Sequence, residues 1–479
     1  MSANKTNFTG WSGSTFDITK LNFSGRTASV PQKSLSIVKG PVVITKDRPK
    51  KSKLTPGVKQ TPVARVKSEI IFDPTKASKI GRLSMLNSAP LESTNLPFTA
   101  GTIDTSFPYS ADTGFSGGSV YVTKVQSDGK ILVGGDFSSY TYNGFTYYAP
   151  YLIRLNSDGS PDFDFAYTYH SDDAGWMING YVNTIDIQSD GKILIGGSFN
   201  AYSGGTYYES SGIMRFNSDG TFDDTLFVGV GFNNPVSKII VQPDGKILVA
   251  GSFYQYNDID NWRIIRLNSD GSPDSSFITG DGIDWDDSGD VYDMVLQPNG
   301  KIILGGDFYS YNGYTSNYIV RLNSNGSYDD TFAMGVGFDD QVNSLALQSD
   351  GKIIVGGYFS YYNNIDLYNG YIVRLGVNGE MNTRFGYGLN GGVYPLTIQS
   401  DDKILVGGSF GEYYPDNVTT ITINNLVRFQ SDCTFDTSFV FDSGVYNNDV
   451  YSITLDSDDR IYVGGDFYED GAPYLLNYF

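Results

Sequence analysis

Short apolar runs separated by turn residues dominate this 479-residue chain. From residue 99 onward, an Asx-Gly or Asp-Asp turn precedes an apolar run that ends near a Gly-Gly-x-Phe segment, and a pattern of the form Q-x-D-G-K-I-x-x-G-G-x-F recurs seven times. Because the tight turn between two strands needs positive φ, Asx-Gly between apolar runs is a strong hairpin signal. Each copy therefore predicts a β-hairpin. The turns lie at residues 128–130, 190–192, 244–246, 299–301, 350–352, 401–403 and 458–460.

A second hairpin is predicted in each unit. Its first strand ends in Arg-Leu or Arg-Phe, as at Arg154, and its turn is again mostly Asx-Gly. Its second strand carries Asp and then Phe three residues later, as at Asp329 and Phe332. No segment with a helical period interrupts these strands. Repeated four-stranded antiparallel units are typical of propeller blades, so the sequence predicts an all-β, seven-bladed β-propeller.

The two ends of the repeat region complement each other. Residues 472–477 resemble residues 149–154, so the last unit ends in a third strand and lacks a fourth. Residues 101–107 have the pattern of a fourth strand without the preceding three. We therefore expect residues 101–107 to pair with the C-terminal strand and close the ring.

Charge divides the chain into two parts. Residues 1–98 carry 16 Lys and Arg against 5 Asp and Glu, a net charge of +11, whereas residues 99–479 carry 17 against 48, a net charge of −31. Such an asymmetry indicates two parts with different partners. A body at −31 repels phosphate backbones and anionic membranes, which argues against nucleic-acid binding by that part.

Residues 1–98 predict an extended, irregular N-terminal arm, followed by a propeller domain at 99–479. Prolines recur through the arm without sustained periodic patterning, a composition typical of disorder in isolation. Its densest basic run contains Arg48, Lys50, Lys51 and Lys53, and apolar clusters at 42–44 and 70–72 need a surface to bury against. We expect the arm to anchor the chain to other structural proteins, with nucleic-acid binding by the arm as the alternative.

The motifs Asp-Gly-Lys-Ile, Gly-Gly-x-Phe and Arg-Leu-Asn-x-Asp-Gly resemble the delta-60 repeat, a propeller family found in bacterial surface proteins and in some phage-encoded proteins. The resemblance covers residues 101–479. It implies the propeller fold and leaves the function open, because fold does not fix function. The departures lie in the last units, where Asp402 and Asp459 replace the turn glycine and Asn477 replaces the arginine.

Few residues have the pattern of a catalytic site. His170 is the only histidine, and Cys433 is the only cysteine, which excludes an intrachain disulfide. Most aspartates and arginines recur at the same place in each unit, which favours a role in turns and in Arg–carboxylate pairs over chemistry. The Gly-Gly pairs are expected to allow a bulge or a close backbone approach.

One acidic segment departs from the repeat. Asp284, Asp286, Ser288 and Asp290 approximate the first positions of a calcium loop, but Val295 occupies the place of the bidentate glutamate. A calcium site and a solvated acidic loop both remain open, and no other cofactor is expected.

A tyrosine follows three residues after the phenylalanine of the Gly-Gly-x-Phe segment in six units. If the connecting loops open on one face, these side chains would form a ligand- or partner-binding face there. The alternative is that each tyrosine covers the edge of the neighbouring blade. The six residues are Tyr140, Tyr202, Tyr256, Tyr311, Tyr362 and Tyr413.

These features favour a non-enzymatic structural protein of a large assembly, above all a phage virion, with the arm as anchor and the propeller displayed. No segment reaches 18 apolar residues, and the first residues lack the features of a secretion signal. The alternatives are a glycan-binding module at a bacterial cell surface and, third, a polysaccharide-degrading enzyme. A host-surface glycan or protein would then be the partner of the tyrosine face.

Overall fold

The chain divides into two units, Met1–Pro97 and Phe98–Phe479. The computed structural model describes residues 114–165, 176–203, 206–226, 229–283, 289–439 and 449–466, and the short strands at 15–16, 35–36, 468–469, 472–473 and 476–478. Within Met1–Pro97, strands Thr15–Phe16 and Leu35–Ser36 pair antiparallel. The closing segment 101–107 and the basic run 48–53 lie outside the described residues. All regular structure in the described residues is β-structure.

Three antiparallel strands recur in each of seven repeated units within the described residues, here called units 1 to 7 in chain order. Numbered in chain order, these strands are β4 (Val120–Val125), β5 (Ile131–Gly135) and β8 (Leu152–Leu155); β9 (Trp176–Ile187), β10 (Ile193–Ser203) and β11 (Thr206–Phe216); β12 (Val236–Val241), β13 (Ile247–Gly251) and β16 (Ile264–Leu267); β17 (Asp290–Leu296), β18 (Ile302–Asp307) and β21 (Ile319–Leu322); β22 (Val342–Leu347), β23 (Ile353–Gly357) and β26 (Ile372–Leu375); β29 (Val393–Ile398), β30 (Ile404–Gly408) and β33 (Leu426–Phe429); β34 (Val450–Leu455), β35 (Ile461–Gly465) and β38 (Leu476–Tyr478). The shorter strands are β1 (Thr15–Phe16), β2 (Leu35–Ser36), β3 (Gly114–Ser116), β6 (Ser139–Tyr142), β7 (Phe145–Tyr148), β14 (Gln255–Tyr256), β15 (Ile259–Asp260), β19 (Ser310–Tyr311), β20 (Tyr314–Thr315), β24 (Tyr361–Tyr362), β25 (Ile365–Asp366), β27 (Met381–Arg384), β28 (Gly388–Leu389), β31 (Glu412–Tyr414), β32 (Ile421–Thr422), β36 (Tyr468–Glu469) and β37 (Ala472–Pro473).

The predicted turn between the first two strands forms in every unit. The turn glycines, such as Gly129 and Gly300, have φ near 80°. Asp402 and Asp459, which replace glycine in units 6 and 7, keep the same left-handed conformation at φ 64° and 61°. Their carboxylates accept hydrogen bonds from Ser349 and Ser400 in the preceding unit, which a glycine cannot offer. Replacement of the glycine by aspartate therefore changes neither the conformation of the turn nor the strand pairing of the unit.

The Gly-Gly pairs allow close approach, as expected. In unit 1 the strand register shifts between Val120 and Val122, which is a β-bulge opposite the pair. A Cβ on Gly135 would collide with the Ser119 carbonyl, and a Cβ on Gly134 would lie 2.7 Å from Val182 Cγ1 of the next unit. The glycines therefore let the strands bulge and let neighbouring units pack closely.

The fourth strand of each unit is shorter than the sequence predicts. Among the described units, it forms a strand in unit 5, where Met381–Arg384 pairs with β26. In units 1, 2, 3, 4 and 6 a single β-bridge takes its place, as at Leu322 and Tyr328. In unit 4 the Asp329 carboxylate accepts hydrogen bonds from the Thr331 backbone N–H and hydroxyl, and this Asx-turn ends the extended segment. In unit 7 the third strand pairs with β35 as predicted, with Asn477 opposite Tyr462.

The core lies between consecutive units. The first five residues of the second strand are buried in each unit, as in Ile131–Gly135. One apolar cluster joins Ile303 and Ile319 of unit 4 to Val342 and Val355 of unit 5. Units 1 and 7 also meet, because the Thr123 backbone N–H donates to the Ser452 hydroxyl at 3.0 Å. A Cβ on Gly464 of unit 7 would collide with Val120 of unit 1. In the same way, a Cβ on Gly134 of unit 1 would collide with Val182 of unit 2.

Candidate functional site

The repeated arginines link neighbouring units, which confirms their predicted structural role. In unit 4, Arg321 Nε donates to Asp329 Oδ2 at 2.5 Å, and Arg321 NH1 donates to the Val377 carbonyl of unit 5 at 2.7 Å. The guanidinium also lies 4.7 Å from the centre of the Phe332 ring. The same aspartate accepts from Lys301 Nζ at 2.7 Å. Matching Arg–Asp pairs occur at Arg154–Asp162, Arg215–Asp223, Arg266–Asp274 and Arg428–Asp436.

These aspartates have a structural role, in which the ionised carboxylate accepts hydrogen bonds and ion pairs. Burial by itself raises the pKa of Asp329, but hydrogen bonds from Lys301, Thr331 and Arg321 outweigh it and hold that pKa well below its ordinary value. Asp223 and Asp274 have lowered pKa values for the same reason. Each carboxylate is therefore ionised and fully engaged at neutral pH, which leaves it unsuited to act as a general acid.

The structure contradicts the predicted tyrosine face for the five members whose side chains it describes. Five of the six are buried in the core: Tyr140, Tyr256, Tyr311, Tyr362 and Tyr413. The backbone of the sixth, Tyr202, lies in β10.

The reason is the connecting segment, which folds as a short hairpin instead of an open loop. The Tyr256 hydroxyl donates to the Gly271 carbonyl at 2.7 Å, and Tyr140 donates to the Gly159 carbonyl at 2.9 Å. The same bond joins Tyr311 to Gly326 and Tyr362 to Gly379. Each of these tyrosines thus ties its hairpin to the second turn of its own unit.

The other predicted sites lie largely outside the described residues. This holds for Asp284, Asp286 and Ser288 of the calcium loop, for His170, and for Arg48, Lys50, Lys51 and Lys53 of the arm. Asp290 is described, and its carboxylate lies 3.9 Å from Arg263 Nε. Among the described residues, no group of three or more His, Cys, Asp or Glu side chains is arranged to hold a metal ion. Burial raises the pKa of the Cys433 thiol to about 12, so the thiolate is not formed at neutral pH.

The short hairpins expose an apolar side chain directly after their turns in units 1, 3, 4 and 5. The exposed fractions are 54% for Phe145, 60% for Ile259, 53% for Tyr314 and 37% for Ile365. The turn residues have positive φ, as at Asn312 and Gly313, which fixes the hairpin and presents the next side chain to solvent. We call Phe145, Ile259, Tyr314 and Ile365 the hairpin-tip residues.

The hairpins of units 4 and 5 are joined by a further exposed residue. Val336 is 48% exposed, and its carbonyl accepts from Asn317 Nδ2 at 2.9 Å while its N–H donates to Asn363 Oδ1 at 3.2 Å. Tyr309 and Tyr361, also in these hairpins, are exposed as well. The apolar surface therefore continues from one unit to the next.

A second aromatic group draws on the first strands of four units and on Tyr358, which directly follows β23 of unit 5. The side chains of Tyr181, Tyr121, Tyr451, Tyr394 and Tyr358 form a continuous series across units 2, 1, 7, 6 and 5, called here the tyrosine arc. Their ring centroids are separated by 6.0, 5.9, 5.6 and 6.1 Å in that order. All five are partly exposed.

Aspartate carboxylates accept hydrogen bonds from two tyrosines of the arc. The Tyr121 hydroxyl donates to Asp136 Oδ2 and the Tyr451 hydroxyl donates to Asp466 Oδ2, both at 3.0 Å. Burial and the Asp136 hydrogen bond raise the pKa of Tyr121, so its phenol is a neutral donor. The sequence analysis missed the arc. A signal exists for two of its members, because Tyr121 precedes Asp136 and Tyr451 precedes Asp466 by the same spacing after the first valine of the unit. The same spacing occurs in unit 4, whose Tyr292 is not part of the arc.

Six segments of the chain match a family described as a domain of unknown function (DUF5122) beta-propeller. The matched residues are 126–165, 188–226, 242–277, 297–332, 348–385 and 399–439. The repeats are β-propeller repeats. Each matched segment begins at the repeat glutamine and contains the arginine and the position of its partner, so the family pattern coincides with the link between units. A search of curated proteins gives no significant match.

Solved propeller structures resemble the chain at low identity. The WD40 beta propeller domain of Doa1 is 12% identical with a TM-score of 0.39, and the match covers 77% of this chain and 96% of that one. YCF48 bound to D1 peptide is 11% identical with a TM-score of 0.43, covering 76% and 93%. A virginiamycin B lyase from Staphylococcus aureus with quinupristin is 12% identical with a TM-score of 0.37, covering 78% and 96%. The set includes enzymes and non-enzymes, and similarities of this size carry no argument about activity. Within the described residues, no helix could cross a membrane.

Proposed function

We propose that this chain is a non-enzymatic structural protein of a large assembly, specifically a phage virion, in which residues 1–98 anchor the chain and the propeller is displayed. The observation that carries the proposal is the set of hairpin-tip residues. Four units expose an apolar side chain at the same place, and Val336 continues the surface between two of them. Contiguous exposed apolar surface marks protein interaction sites, and the exposed residues around Val336 in units 4 and 5 give this support to the proposal.

Charge supports an assembly role. The first 98 residues carry +11 and the remainder −31. Oppositely charged parts in one chain favour ordered contacts between different proteins, and they add specificity and speed of association more than affinity. In each repeated Arg–Asp pair the two side chains bind each other, and arginines such as Arg321 and Arg215 also bind a turn of the next unit. These contacts account for the charged residues that recur in the repeat without invoking catalysis.

We further propose that the seven units are the blades of one closed ring, completed by pairing of residues 101–107 with the C-terminal strand. The contact of Thr123 with Ser452 and the packing of Gly464 against Val120 support closure. Deletion of residues 101–107 should lower the melting temperature or cause aggregation, since it would expose two strand edges. Deletion of residues 85–91 is the length-matched control. Unchanged melting after the first deletion would refute this closure.

The assembly role is tested by locating the chain in its native context. Particles, cell envelopes and soluble proteins are separated on density gradients, and peptides of the chain are quantified by mass spectrometry. We expect the chain in the particle fraction at a constant ratio to the other structural proteins. Recovery with the envelopes would instead support the glycan-binding surface module, and recovery only as free soluble protein would overturn the assembly role.

The role of the arm is tested by truncation. Residues 99–479 alone should remain folded, with the circular dichroism and melting of the full chain, and should be absent from particles when supplied in place of the full chain. Incorporation of the truncated chain at normal occupancy would show that residues 1–98 are not the anchor. A steep loss of particle association with rising salt, together with binding of naked nucleic acid, would favour the nucleic-acid alternative.

A further inference from the structure

No residue of the tyrosine arc lies on the strands that carry the hairpin-tip residues, and the arc has a different chemistry. The four neighbouring ring pairs are inclined by 87°, 67°, 43° and 58°, so no ring is covered face to face by the next. The Tyr358 and Tyr394 hydroxyls share a hydrogen bond at 2.6 Å, which fixes one end of the arc. The result is a series of partly exposed phenol rings drawn from five units.

Three carboxylates lie against these rings. Asp136 and Asp466 accept hydrogen bonds from Tyr121 and Tyr451, and Ser119 donates to both, through its N–H to Asp136 and through its hydroxyl to Asp466. Asp449 interacts with Tyr451 and Tyr394, and burial followed by the nearby Asp466 charge raises its pKa. Among the described residues, none of the three forms an ion pair with a lysine or arginine, unlike the aspartates of the Arg–Asp links.

A cation is the ligand that this combination fits. Phenol faces attract a cation through the ring quadrupole, and unpaired carboxylates add a direct charge attraction. A guanidinium can use both at once, because it stacks on aromatic faces and donates in a planar fork to a carboxylate. A neutral sugar could stack on the rings but would leave the negative charge of Asp449 and Asp466 uncompensated.

We infer that the tyrosine arc, with Asp136, Asp449 and Asp466, binds the guanidinium of an arginine presented by a partner protein. The phenols stay neutral at the site: burial raises the pKa of Tyr394 to about 12, and the hydrogen bond with Tyr358 adds to that shift. They can therefore hold the carboxylates in place while the rings contact the cation. The net charge of −31 on residues 99–479 attracts such a partner from a distance.

The probe is the peptide acetyl-Gly-Arg-Gly-amide, added to the full chain and followed by isothermal titration calorimetry and by tyrosine fluorescence at low salt. The control is the same peptide with citrulline, which keeps the shape and loses the charge. We expect the arginine peptide to bind at least about threefold more tightly than the citrulline peptide, a ratio in the range of desolvated cation–π contacts. Equal binding of both peptides, or binding of neither, would overturn the inference.

Variants locate the site. Asp449→Asn should weaken binding of the arginine peptide severalfold, whereas Asp330→Asn, an exposed aspartate away from the arc, should leave it unchanged. Tyr451→Phe keeps the ring and removes its bond to Asp466, so it should weaken binding less than Tyr451→Leu. Melting curves of each variant separate loss of binding from loss of fold. Unchanged affinity in Asp449→Asn would place the binding elsewhere and refute the site, and this result would leave the hairpin-tip assembly role untouched.

Discussion

Arg374 Nε donates to Asn382 Oδ1 at 2.9 Å, where the corresponding arginine of the preceding unit, Arg321, donates to the carboxylate of Asp329. Unit 5 is thus the one among the described Arg-bearing units whose link lacks a charged acceptor. The lysine of the first turn also has different partners in these two units. Lys301 contacts Asp329, whereas Lys352 contacts Asp350 of its own turn at 2.5 Å.

Replacing Asn382 with aspartate should therefore stabilise the protein. The change would give the buried Arg374 a charged acceptor in place of a neutral one, although position 382 itself is exposed, and charge-assisted hydrogen bonds are about twice as strong as neutral ones. We expect a gain of about 1 kcal/mol in the free energy of unfolding at pH 7. The measurement is urea denaturation of Asn382→Asp beside the parent protein. The reverse change, Asp329→Asn, is the matched control and should destabilise; a loss of stability in both would contradict the interpretation of the link.

Acid should unfold the protein through the same carboxylates. The pKa values of Asp223, Asp274 and Asp329 are lowered in the folded state, so the unfolded chain takes up protons first as the pH falls. Their contribution to stability is complete above the ordinary aspartate pKa near 4 and is lost as the pH falls below that value toward the lowered pKa. Melting temperatures measured from pH 7 to pH 2 should fall mainly below about pH 4, and Asp329→Asn should flatten this fall. A pH-independent melting temperature over that range would rule out a large role for these carboxylates.

A methyl group at the junction of the last and first units should destabilise the fold. A Cβ at Gly464 collides with Val120, and a Cβ at Gly305 would lie 2.5 Å from Val342 Cγ1, so Gly464→Ala and Gly305→Ala should cost similar amounts. Overpacking of this kind costs about 1–3 kcal/mol. Gly411→Ala is the control, because the nearest atom to its Cβ would be the Ile423 carbonyl oxygen at 3.9 Å. Recovery of stability in the double variant Gly464→Ala, Val120→Ala would identify the contact, and a neutral Gly464→Ala would contradict it.

The buried tyrosines should behave as core residues. Tyr256→Phe removes the donor to the Gly271 carbonyl and should cost about 1–2 kcal/mol, since that buried acceptor would lose its partner. Tyr256→Ala should cost about 3–5 kcal/mol because it also leaves a cavity. Tyr361→Phe, on an exposed ring of a similar hairpin, should change stability by less than about 0.5 kcal/mol. Thermal or urea denaturation measures all three, and full stability of Tyr256→Ala would conflict with the observed burial.

The structure of the repeat could be predicted from the sequence because it depends on local chemistry. An Asx-Gly turn needs positive φ, the Gly-Gly positions leave no room for a side chain, and a buried arginine needs an acceptor. Each of these requirements depends on short-range contacts. The turn at Gly300, the bulge opposite Gly135 and the Arg321–Asp329 pair therefore agree with the prediction. Even the last strand was placed correctly, because Asn477 occupies the register that Arg154 has in unit 1.

Whether a tyrosine is buried or exposed depends on how its hairpin packs against other segments. The sequence of a single repeat does not show that packing. Tyr256 and Tyr314 both lie in short hairpins rich in Tyr and Asn, yet the first is buried and the second exposed. The distinction arises because one side of each hairpin packs on a turn of its own unit, as the bond of Tyr256 to Gly271 shows. The tyrosine arc was missed for a similar reason: its members come from five units, and only their arrangement in space makes them neighbours.

The contact between Thr123 and Ser452 joins residues that are 329 positions apart. A ribosome adding roughly 5–20 residues per second needs on the order of 20 to 60 seconds to make the chain between them. For that time the side of unit 1 that later meets unit 7 has no partner within its own chain, although Val120 and Thr123 are already synthesised. Synthesis in the cell therefore includes a prolonged stage in which the nascent chain exposes an apolar strand, and slow translation or a missing chaperone would increase aggregation at that stage.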